Sequence, residues 1–292
     1  MSRLPVIVGR LIIIILLQLI VGCSAIRLTY NNADILARYR MSDYVDLTST
    51  QVDQFKQRFA ALHQWHREHE LPEYVSLLQL AGSRVARGVT AEDVNWAIVS
   101  LRMRYRLVAS RAAEEAAPIF AGLDAGQLTE LEKNFADNIR KFEKDNLEGD
   151  ARRMRRKHTQ KIEDNVTDWT GSLNDQQVQR VGRFVDHYIS VLSLRLEDRR
   201  RWQRDMLSLL RAERNAASLA PRLAAMFAHP EAARTPKYQE AMNRYEAAIG
   251  ELIVDLDRML TPDQRVRAMR RMQRYEEDLA ALAARKTASG SP

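Results

Sequence analysis

The residues best equipped for chemistry sit in the stretch "HQWHREHE", where His63, His66, His69 and Glu70 fall within eight positions. On a helix, His66 and Glu70 lie one turn apart on a shared face, and His63 precedes His66 by three. Imidazole nitrogens and a carboxylate oxygen at that spacing can bind zinc or another divalent cation. His63, His66 and Glu70 are therefore the candidate metal ligands. Ideal geometry fans the three histidines across about 120°, and Trp65 stands among them to pack, so a helix-surface cluster is the simpler reading. A second polar group, Asn31, Asn32 and Asp34, suits helix capping better than ligand binding. The chain has no Gly-rich phosphate loop, no G-x-S-x-G and no H-E-x-x-H. No catalytic residue, enzyme activity or bound cofactor is expected.

Cys23 is the single cysteine. It closes an apolar run, Leu11 to Val21, that is too short for the roughly 20 residues a membrane-crossing helix needs. Arg3 and Arg10 precede the run with no acidic residue beside them, as in a secretory signal peptide. "IVGC" resembles the lipobox of bacterial lipoproteins. That resemblance implies cleavage after residue 22, with diacylglycerol and an N-acyl chain carried on Cys23, the first mature residue. Three acyl chains exceed the two signals that stable anchoring requires. Ser24 follows where sorted lipoproteins kept at the inner membrane carry Asp. The implied address is the outer membrane, with residues 23–286 facing the periplasm.

The formal charge is +7, and it falls to about +5 once Arg3 and Arg10 leave. Basic chains raise nucleic acid as a partner, but export argues against it. The basic runs Arg152–Lys161, Arg199–Arg204 and Arg265–Arg274 each adjoin acidic residues. They read as solvated helix faces with local ion pairing. Contact with anionic head groups or an acidic client is the alternative.

Helices must position all of these groups. Hydrophobic residues make up 46% and charged ones 28%, with only 11 Gly and 8 Pro, a balance that favours long uninterrupted helices over disorder. Five segments carry a capping residue followed three positions later by Gln or Asp: Thr48/Gln51, Thr90/Asp93, Asp124/Gln127, Asn174/Gln177 and Thr261/Gln264. Each is a capping box behind a Leu or Val staple. Apolar residues then recur at steps of three and four: Leu128 to Phe142, Val178 through Leu196 to Leu209, and Val266 to Leu282. The expected fold is all-α, an elongated bundle of long amphipathic helices. Breaks are expected at Pro72, Gly88, Gly122, 148–150, Gly171 and 229–236, with a disordered tail over 287–292.

Two resemblances follow from these motifs. The Leu-Thr-x-x-Gln starts at Leu47 and Leu260 are similar to the signature of Spy- and CpxP-type periplasmic chaperones, all-helical proteins that hold unfolded clients or sense envelope stress. "YNNADILARYRMSDYVDLTSTQ" (Tyr30 to Gln51) with "WHREHELPEY" (Trp65 to Tyr74) resembles a family of uncharacterised proteobacterial lipoproteins, over Cys23 to about Ala284. Ile35 stands where many members carry Trp. That family implies localisation and fold without naming a reaction.

Two functions are therefore expected to compete. One is a lipid-tethered protein that binds an envelope protein partner, with Met206, Met226, Met242, Met259, Met269 and Met272 either filling core gaps or lining an adaptable groove. The other is a binding protein for a lipid, a cell-wall fragment or a divalent metal. An exposed apolar face favours the first, a closed pocket with converging polar groups the second.

Overall fold

All five capping boxes form, and each opens a helix. A computed structural model describes residues 25–285. The signal peptide expected over 1–22, Cys23 and the tail at 287–292 lie outside the described residues. Residues 25–31 are helical. They are followed by α1 (Ala33–Ser42), α2 (Ser49–Trp65), a π-turn (His66–Glu70), α3 (Leu71–Ala86), α4 (Ala91–Ala121), α5 (Ala125–Asn146) and α6 (Ala151–Thr170). The chain continues through α7 (Asp175–Ser190), α8 (Leu192–Ala212), α9 (Ala216–Ala228), a 3-10 turn (Pro230–Ala233), α10 (Pro236–Met259) and α11 (Pro262–Ala284). The fold is an all-α helical bundle, with no strand among the described residues.

Asp150, Asn215 and Thr235 cap α6, α9 and α10 through side-chain bonds to backbone N–H groups. Asp150 and Thr235 fall at the expected breaks. Pro72 does not break its helix. A proline ring presses on the carbonyl four residues back and supplies no N–H. Here the turn before it is widened, with Leu71 N–H donating to His66 O five residues back. The periodic stretch from Val178 to Leu209 is in turn not one helix. It is interrupted at Val191 without Pro or Gly, at a residue buried with Tyr238, Ala241 and Met242.

Two principal cores result. One gathers Val45, Ala113, Leu123, Leu131, Phe135, Leu210 and Leu223 from α4, α5, α8, α9 and the segment before α2. The other sets Val181 and Phe184 of α7 against Leu252 and Leu256 of α10, with Ile162 and Val166 of α6. Helix α4, at 31 residues, touches α2, α3, α9 and α10. Met206 and Met242 are core residues. Met226 and Met259 pack against the cores, whereas Met269 and Met272 lie near Gly82 in an open groove between α3 and α11.

Each core is pinned by the same polar device. Gln51 Nε2 donates to Gln127 Oε1 at 3.0 Å, and Gln127 Nε2 donates back to Gln51 Oε1 at 2.7 Å. Their second N–H bonds go to Gly122 O and Asp46 O, each two residues before the partner's cap. Gln177 and Gln264 repeat every element of this, with Met259 O and Ser172 O as the carbonyls. Every amide also accepts from its own cap residue's N–H, so both donor hydrogens and both acceptor lone pairs are used.

Candidate functional site

The two sequence segments richest in polar motifs meet at the π-turn. Tyr30 packs on His63, with ring centroids 4.4 Å apart, and its hydroxyl lies 3.0 Å from His66 Nδ1. Arg67 is buried across the same ring. Its guanidinium donates to Leu282 O at 2.9 Å and to Asn31 Oδ1 at 3.3 Å. One side chain thus ties the N-terminal helix, the π-turn and the end of α11 together. Asn31 therefore serves tertiary docking. Asn32 occupies the cap position of α1 but makes no side-chain cap bond, donating instead to Leu28 O, so capping does not account for this pair.

Electrostatics follow burial. Desolvation pushes the His66 imidazole down to about 4, helped by neighbouring His63. Desolvation, then Arg67, lowers His63, and burial raises the Tyr30 hydroxyl to about 12 against the opposing pull of Arg67. Both shifts favour the uncharged forms, so a protonated Tyr30 hydroxyl shares a hydrogen bond with a neutral His66. Glu70 is 2% exposed. Burial raises its carboxyl, while Arg104, 3.7 Å away, opposes that rise. Arg104 also reaches Glu73 at 3.4 Å. Glu70 Oε2, His63 Nε2 and the Nε atoms of Arg67 and Arg104 have no hydrogen-bond partner among the described residues.

His63, His66 and Glu70 do not converge. His66 turns to Tyr30 and Glu70 to Arg104, and two guanidinium groups flank the cluster. Among the described residues no group of three or more His, Cys, Asp or Glu side chains is placed to hold a metal ion. Trp65 stacks on His69 rather than on the candidate ligands.

Beside the cluster lies a feature that sequence reasoning missed. Tyr74 contacts the His66 ring and forms one end of an open cleft of about 320 Å³ between α3, α4 and α11. Its walls are almost wholly apolar: Leu77, Leu78, Ala81, Trp96, Ala97, Leu101, Tyr275 and Leu279, with Ser100. Leu101 stands 58% exposed, and Val99, Met103 and Leu107 leave another side of α4 exposed. The signal was present in "WAIVSLRMRYRLV", where apolar residues occur on more than one side of the helix instead of a single stripe.

The eight cap residues sit where expected, as Thr48, Gln51, Asp124, Gln127, Asn174, Gln177, Thr261 and Gln264 each bond within their own box. In the basic runs many charges pair across helices rather than along them: Arg155 with Asp186, Arg200 with Glu143 and Arg265 with Asp257.

A family model described as a family of unknown function (DUF6279) matches residues 43–239, more than half of the chain. No curated protein matches the chain, and no solved structure does.

Proposed function

The chain belongs to this family of unknown function, and we propose that it is a lipid-anchored envelope protein that acts by holding a protein partner in the apolar cleft between α3, α4 and α11. The observation that carries the reading is Leu101, exposed at the rim of a cleft walled by Trp96, Leu77 and Leu279. A contiguous exposed apolar surface of this kind marks interaction sites in soluble domains. The chaperone-like version of the reading has the same basis, since an open cleft accepts the apolar side chains of an unfolded client. The cleft is open, and His66 and Glu70 face Tyr30 and Arg104 instead of a shared cavity, which favours the partner reading over a small-molecule or metal pocket. The address rests on the lipobox at Cys23; among the described residues no helix is long and apolar enough to cross a membrane.

Photo-crosslinking in living cells tests the proposal. A benzoylphenylalanine at Leu101 is expected to yield discrete protein adducts, and one at exposed Lys161 is expected to yield none. Adducts equal at the two positions, or none at Leu101, overturn it.

A further inference from the structure

We propose that the outward face of the N-terminal helical segment lies on the phospholipid bilayer surface and orients the whole domain against it. Residues 25–31 and α1 are nearly continuous, since Asn32 N–H donates to Leu28 O and Leu36 N–H to Asn32 O. Along them Leu28, Ile35 and Tyr39 are spaced seven and four apart, so they form one stripe. They are 64%, 54% and 64% exposed, with Leu36 exposed beside them.

This outward direction is imposed, because the opposite face is fixed to the body. Tyr30 packs on His63 and His66, Arg27 pairs with Asp278 of α11, and Met41 packs on the first core. The stripe cannot turn inward without breaking those contacts. Charged residues flank the band, Asp34 and Arg38 exposed beside it and Arg40 paired with Asp43, so the stripe is an apolar band with polar edges of the kind that lies at the head-group boundary. In the sequence the helical segment follows Cys23 by two residues, so the occupant is the membrane to which an acylated Cys23 would bind the protein. The inference rests on that reading of Cys23. Lipid on the cysteine alone would leave the domain free to swivel. The stripe supplies a second contact that sets which face looks away from the membrane.

The test uses the full lipidated chain in vesicles of phosphatidylethanolamine and phosphatidylglycerol. Acylation removes the Cys23 thiol, so an Ile35→Cys variant offers a single thiol for an environment-sensitive fluorophore, and an exposed site tolerates the change. The fluorophore at position 35 is expected to shift to the blue and to be quenched by spin-labelled acyl chains. The same label in a Lys161→Cys variant is expected to stay in water. Equal water exposure at both positions, in protein whose Cys23 carries lipid by mass spectrometry, overturns the proposal and leaves the anchor standing. Unacylated Cys23 overturns both.

Discussion

Gln177 and Gln264, 87 residues apart in sequence, exchange amide hydrogen bonds of 2.8 and 3.0 Å at a place where Gln177 is 0% exposed. A carboxylate at either position would cap its own helix equally well but has no hydrogen to donate. Gln264→Glu therefore orphans the Ser172 carbonyl and sets oxygen against Gln177 Oε1. It should cost about 2–4 kcal/mol by chemical denaturation. The same change at the partly exposed Gln51 should cost about half as much, because water can reach the orphaned groups. Equal and small losses at both sites would mean that the amides serve only as caps.

This explains what was legible in the sequence and what was not. Cap residues are local, and a residue bonding three positions ahead announces itself in five letters. The mutual pairing of the glutamines is not local. Its signature is the choice of Gln over Glu in four boxes, while the fifth, which has no such partner, carries Asp93. There burial pushes the carboxyl up, but hydrogen bonds from Arg84, Thr90 and Arg87 outweigh it and hold the carboxyl well below the usual range. The break at Val191 was illegible because no Pro or Gly marks it, and the residues it packs with, Tyr238 and Met242, lie far along the chain. Of the candidate metal set, spacing placed His66 and Glu70 on one helix. It could not show that Tyr30 and Arg104 had already claimed them.

Two glycines should respond to alanine with opposite signs. Gly171 ends α6 with φ +82°, and a Cβ there would meet the Arg267 guanidinium at 2.6 Å. Gly171→Ala should destabilise by about 1–3 kcal/mol through backbone strain and that collision. Gly182 lies within α7 with nothing within 4 Å of a Cβ. Gly182→Ala should stabilise by about 0.5–1 kcal/mol by reducing the freedom of the unfolded chain. Thermal melts of the two variants decide the matter.

Acid should loosen the π-turn. His66 falls from 6.5 when unfolded to about 4 when folded, so below pH 6.5 the unfolded chain binds the proton more readily. The stabilisation is complete above pH 6.5 and is lost as the pH falls toward 4, by about 1–3 kcal/mol. His63 shifts in the same direction. Glu70 runs the other way, since its raised carboxyl favours the folded state below its unfolded value and loses that advantage as the pH rises. The difference between the wild type and His66→Gln cancels the Glu70 contribution. That difference should shrink or reverse between pH 7 and pH 4.5, and a difference constant with pH would refute the neutral, Tyr30-bonded imidazole.

Arg67 should prove irreplaceable by lysine. Its fork reaches Leu282 O and Asn31 Oδ1 at once while the guanidinium plane lies across Tyr30. An ammonium is a point charge on a flexible stem and offers neither the paired geometry nor the stacking surface. Arg67→Lys should therefore lose about 2–3 kcal/mol of local stability, close to the loss in Arg67→Met, which leaves the same carbonyl orphaned without a misplaced charge. Among the described residues its hydrogen bonds run from the π-turn to the N-terminal helix and the end of α11. Hydrogen exchange should accordingly speed up over residues 25–42 and 278–284, while protection around Gln177 and Gln264 stays unchanged. Uniform deprotection across both cores would instead make Arg67 part of the global fold, and rescue by lysine would show that charge alone suffices.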